Sequence, residues 1–200
     1  MGKENIIFGL GGILLGVLIA PMFFGGWGMG GMMSGFYRGS NTSMMGNIDQ
    51  HFIEQMIPHH EGAITMAKLA LEKSKRPEIL SLANGIIEAQ TREINNMKSW
   101  YEDWFGSDVP NYSSSMMGHG GMMMPMTGFV GNSTTLENAK DFDLEFINQM
   151  IPHHEMAIMM ARMLAATSNR KEMKELADQI IISQSGEIDM MRSWYATWSK

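Results

Sequence analysis

Two pairs of adjacent histidines carry the most chemistry in this chain: His59-His60 within Ile57-Pro58-His59-His60-Glu61, and His153-His154 within Ile151-Pro152-His153-His154-Glu155. Each pair has a methionine three and four residues before it, Met56 and Met150, which on a helix shares a face with both histidines. Met66 projects nearly in line with His59 two turns further on, and Met160 stands in the same relation to His153. The second segment adds Met156, Met159 and Met163 to Met160 as a methionine stripe, where the first has Gly62, Thr65 and Leu69 beside Met66. Thioether sulfur is soft and imidazole borderline, so this donor set favours Cu(I), or Ag(I) by the same softness, over zinc, calcium or magnesium. Adjacent helical residues diverge by about 100°. The expected unit is therefore a Met-His pair completed from another helix, not one ion held by both histidines of a pair.

The composition points the same way. The 200 residues include 24 methionines and no cysteine, which excludes disulfides, thiolate zinc sites and cysteine nucleophiles. A net charge of -6 with interspersed signs leaves no basic footprint for nucleic acid. Methionine is a good filler of irregular cores. That explanation does not reach Met29, Met32, Met33, Met44, Met45, Met116, Met117, Met122, Met123, Met124 and Met126, which lie among glycines, serines and prolines with no helical pattern to bury them. Metal capture or membrane contact are the readings left for these.

The elements that position the histidines come from a repeat. A shift of 94 positions, from Pro58 to Pro152, aligns Asp49–Trp104 with Asp143–Trp198 without a gap. Within each copy the apolar residues recur at helical spacing. A first helix carries the histidines, with Pro58 or Pro152 as a kink or a first-turn residue; a second carries Gln90, Glu93, Ile94 and Met97, or Gln184, Glu187, Ile188 and Met191. Joined by short turns, the two make an antiparallel hairpin in which His60 comes level with Gln90, and His154 with Gln184. Gln90 and Glu93 are then either hydrogen-bond partners of core histidines or part of a site. Two hairpins stacked on their apolar faces give an all-α four-helix bundle, a known setting for side-chain metal sites.

The rest of the chain reads as attachments. Ile6 to Phe24 runs nineteen residues without a charge, long enough for an N-terminal transmembrane helix, so 1–24 is expected to be a membrane anchor or uncleaved signal with the bulk of the chain outside the cytoplasm. Residues 25–47 form a Gly/Met-rich tether, 48–106 the first hairpin, 107–140 a Met-rich linker and 141–200 the second hairpin.

Phe146 to Ala157, with Gln184, Glu187, Ile188, Met191 and Trp194, resembles the domain of unknown function 305 family, and Phe52 to Ala63 with Gln90 to Trp100 resembles a second tandem copy. The resemblance implies a ferritin-like bundle outside the cytoplasm and copper bound through methionine and histidine. Carried over by position, it implicates Met56, His59, His60 and Met66, and Met150, His153, His154 and Met160. The expected protein is a non-enzymatic, extracytoplasmic copper binder that sequesters or transfers the ion, with a copper transport or efflux system as partner. The alternatives are a ferritin-like metal-dependent oxidoreductase, disfavoured because neither copy contains Glu-x-x-His, and a docking module of a copper efflux complex.

Overall fold

The computed structural model describes residues 48–110 and 133–200. They form five helices: α1 (Ile48–Lys73), α2 (Pro77–Phe105), α3 (Ser133–Glu137), α4 (Phe142–Thr167) and α5 (Lys171–Trp198). The anchor expected over 6–24, the tether to residue 47 and the methionines at 116–126 lie outside the described residues. Among the described residues no helix is long and apolar enough to cross a membrane.

Each hairpin turn is set by three residues. Ser74 closes α1 by accepting from the backbone N–H of Arg76 on its Oγ at 3.1 Å, and Ser168 does the same for Arg170. Pro77 then starts α2, where its missing N–H costs nothing. Pro58 and Pro152 are interior residues of unbroken helices, not first-turn ones. Their cost is the backbone bond that the carbonyl four residues earlier would otherwise receive. Gly106 ends α2 in the left-handed conformation, φ 69°, its N–H donating to the Glu102 carbonyl.

The hairpins meet principally through α1 against α4. One core cluster joins Phe52, Ile53 and Met56 at the start of α1 to Met160, Ala161 and Leu164 at the end of α4. The other joins Ala63, Met66 and Ala67 to Phe146, Ile147 and Met150. The two central helices therefore run antiparallel, and each cluster draws on both hairpins. The contacts between hairpins are reciprocal at the 94-residue shift. Arg76 pairs with Asp143 at 3.1 Å and lies 4.1 Å over the Trp198 ring; Arg170 pairs with Asp49 at 3.4 Å and lies 4.0 Å over Trp104.

One element has no counterpart in the sequence reading. The five-residue α3 falls inside the span expected to be linker, and its Leu136 is fully buried in the second cluster. A single apolar residue among Asn, Ser, Thr and Lys gives no periodicity to detect.

Candidate metal site

His59, His60, His153 and His154 all lie inside the molecule, none more than 4% exposed. Along α1 and α4 they occupy the stretch between the two apolar clusters. His59 and its counterpart His153 face one another across the hairpin interface with ring centroids 3.7 Å apart. Within each pair the centroids are 6.3 Å apart. The roughly 100° divergence of adjacent helical residues thus sends one ring to the centre and the other toward its own hairpin partner.

That second ring is anchored. His60 Nε2 lies 2.7 Å from Glu93 Oε2, and His154 Nε2 lies 2.6 Å from Glu187 Oε2. The hairpin arithmetic placed glutamine level with these histidines; the structure places the glutamate one turn further along instead. The helices pack with a stagger that counting from the turn does not contain. Gln90 and Gln184 are buried nearby on the same stripe, and their Oε1 atoms have no hydrogen-bond partner.

The central histidines are the anomaly. Nδ1 and Nε2 of both His59 and His153 are buried without a hydrogen bond, as are Nδ1 of His60 and of His154. A buried polar atom left unpaired costs about 1–3 kcal/mol, and native interiors hold few of them. Here six imidazole nitrogens are concentrated in one place. Burial first, then the neighbouring His153, His60 and His154, lowers the pKa of His59 from 6.5 to about 2; the nearby His153 backbone opposes this without meeting hydrogen-bond geometry. His153 is lowered to about 3, by burial and then by His154 and His60. Both rings are therefore neutral at physiological pH, each with a nitrogen lone pair in a buried setting.

Among the described residues no three His, Asp or Glu side chains group as ligands for one ion. If the Nε2–H of His60 or His154 donates to its glutamate, the unpartnered Nδ1 is left as the donor to metal, a carboxylate–histidine arrangement that orients a ligand.

The methionines divide into two sets. Met56, Met66, Met150 and Met160 are buried, in the clusters flanking the histidines. Met156 is half-buried, whereas Met159 and Met163 are 48% and 58% exposed. These last two line an open groove between α4 and α5 with Glu155, Arg162 and Arg192, apart from the histidines. Glu61 and Glu155, which the helical pattern puts off the core stripe, pair across their hairpins with Lys98 at 3.9 Å and Arg192 at 2.6 Å.

A family model described as Domain of unknown function (DUF305) matches residues 49–195 as one span. The two copies are therefore halves of a single family domain, not the two tandem domains expected, because neither hairpin closes a core without the other. Among solved structures, CopM in a Cu(II)-bound form is 49% identical with a TM-score of 0.66, covering 75% of this chain and 97% of that one. CopM in a Cu(I)-bound form is 47% identical over 76% and 98% of the two chains, TM-score 0.66, and in an Ag-bound form 46% identical over 76% and 98%, TM-score 0.65. A DUF305 fragment from Deinococcus radiodurans is 26% identical over 75% and 96%, TM-score 0.60. An uncharacterised protein of Acanthamoeba polyphaga mimivirus is 47% identical over 51 residues; the match spans 26% of this chain and 34% of that protein.

Proposed function

This chain belongs to the DUF305 family, and from that membership and the geometry of its four histidines we propose that it is a copper-binding protein that holds Cu(I), and Ag(I) equally, in the middle of the bundle. The observation that carries the reading is the concentration of unpartnered imidazole nitrogens around the His59–His153 contact. Such a cluster costs stability in the metal-free protein and is relieved by a ligand that accepts nitrogen lone pairs in an apolar surround. The copper- and silver-bound forms of CopM support the choice of ion.

Each half of the bundle offers one such set, His59 with His60 and His153 with His154, with Met56, Met66, Met150 and Met160 as the thioethers closest along the same helices. Met159 and Met163 serve as outer ligands that capture or hand on the ion, with Met156 between the surface and the core. The role is sequestration or transfer outside the cytoplasm, consistent with a cysteine-free, Met-rich donor set that does not depend on thiols staying reduced. A copper transport or efflux system is the corresponding partner. Binding without turnover is favoured because Glu93 and Glu187 are each engaged by one histidine instead of converging as bridging carboxylates do.

The test is an anaerobic Cu(I) titration, with silver in parallel, on the full chain and on His59→Ala/His153→Ala. Binding should fall by at least tenfold in the double variant. Unchanged uptake by a folded variant would refute the reading.

A further inference from the structure

Two buried side chains next to the histidine–glutamate pairs have no role in the site so far. Gln90 on α2 and Gln184 on α5 are each 3% exposed, and the Oε1 of each is buried without a hydrogen-bond partner among the described residues. Each stands three residues, about one helical turn, before the glutamate that holds a histidine, Glu93 or Glu187. A buried carbonyl oxygen left unpaired is destabilising, and leucine would fill an apolar stripe without that cost. The arrangement is not an accident of one side chain, because it occurs in both hairpins. Immediate neighbours do change at the 94-residue shift, from Glu88 to Ile182 and from Ala89 to Ser183.

A count of donors and acceptors shows what the two oxygens match. A neutral imidazole has one N–H and one lone pair. With the Nε2–H of His60 and of His154 donating to its glutamate, each Nδ1 carries a lone pair. His59 and His153, both neutral at physiological pH, add one lone pair and one N–H apiece. The six unpartnered nitrogens are therefore four lone pairs and two N–H groups. A soft ion accepts lone pairs and leaves both N–H groups without a partner. The two amide oxygens equal them in number. An amide oxygen is a hard donor, poorly suited to Cu(I) or Ag(I), so hydrogen bonding is its use here and not coordination.

We infer that Gln90 and Gln184 are positioning residues whose Oε1 atoms accept the N–H groups of His59 and His153 and so aim the lone pairs of the central rings at the ion. Glu93 and Glu187 do the same for His60 and His154. Metal-binding histidines are generally oriented through the nitrogen that does not bind. An amide suits this depth because it accepts a hydrogen bond without burying a further carboxylate charge beside Glu93 or Glu187. In the structure the two N–H groups and the two oxygens do not meet, and rotation of the central rings as the ion binds brings them together. The inference rests on the proposed Cu(I) and Ag(I) binding and assigns the residues that orient its central ligands.

The test compares the full chain with Gln90→Leu/Gln184→Leu, which removes both oxygens, and with Gln90→Glu/Gln184→Glu, which keeps an acceptor at each position. Ag(I) affinity should fall about 10- to 100-fold with leucine and be largely restored with glutamate. Without metal, the urea midpoint of the leucine variant should equal or exceed that of the unsubstituted chain, because an unpaired buried acceptor has gone. A lower midpoint with unchanged affinity would mean that the glutamines only support the fold, and would overturn the inference. In 15N NMR of the silver-loaded unsubstituted chain, His59 and His153 should each show a hydrogen-bonded N–H. Leucine should shift these signals and leave those of His60 and His154 in place. Absence of the hydrogen-bonded N–H signals overturns the inference however the variants fold. Ag(I) uptake that survives His59→Ala/His153→Ala sinks the proposed function and this inference with it. Uptake that needs those histidines but is indifferent to leucine at positions 90 and 184 overturns the inference alone.

Discussion

His59 and His153 present a conflict that a protein built only for stability would avoid, since two neutral rings are buried with all four nitrogens unpaired. Functional sites are where such costs persist. Replacing both with leucine, which fills similar volume and favours the helix, should stabilise the metal-free chain by about 1–3 kcal/mol per site while abolishing Cu(I) and Ag(I) binding. Urea unfolding with a parallel silver titration checks this, and a destabilised variant would mean that the rings are packing elements first. Their ionisation gives a pH signature. The folded pKa values of about 2 and about 3 lie below the ordinary 6.5, so between these limits the unfolded chain binds more protons and stability rises with pH. The contribution is complete above about pH 6.5 and is lost as the pH falls toward 3. The unfolding free energy of the metal-free protein, measured with urea, should drop between about pH 7.5 and about pH 5 by roughly 2 kcal/mol per histidine at most, and the double leucine variant should lose most of that dependence.

At the scale of elements, the hairpin ends are tied by two equivalent clasps, Arg76 with Asp143 and Trp198, and Arg170 with Asp49 and Trp104. Both arginines are partly exposed, so each ion pair is worth less than about 1 kcal/mol, and each cation–π contact adds about 0.5–1 kcal/mol. Arg76→Ala and Arg170→Ala should each cost about 1 kcal/mol, and a double-mutant cycle of Arg76 with Trp198 should recover a coupling energy of that order. No coupling would show the contact to be incidental. The four long helices and the repeat were legible because a 3.6-residue period and a 94-residue shift are properties of the chain alone. Glu93 and Glu187 were singled out with Gln90 and Gln184, but which of the two meets the histidine depends on helix stagger, a tertiary quantity. Met159 and Met163 belong to a methionine stripe whose spacing puts it at the flank of the core face, and how far each opens to solvent, 48% and 58%, was decided by how α5 packs on α4.

At the scale of the molecule, both core clusters draw on both hairpins, so the hairpins should unfold together in one thermal transition. Ag(I) at about 100 times its Kd should stabilise the fold by about 2.7 kcal/mol, a rise in Tm of about 5–10 °C. Calorimetry with and without silver checks both points, and two separate transitions would show that the hairpins are independent units.

The sequence by itself determined the four long helices, their pairing into two hairpins, the duplication and a soft donor set, because residue type, local period and self-similarity are all encoded along one dimension. Only the tertiary structure decided that His59 meets His153, that six imidazole nitrogens are left without partners, and that the Oε1 atoms of Gln90 and Gln184 share that state. Those outcomes depend on which faces the antiparallel α1 and α4 present to one another and on how far the helices slide. Packing sets both, and no spacing within a single helix records them.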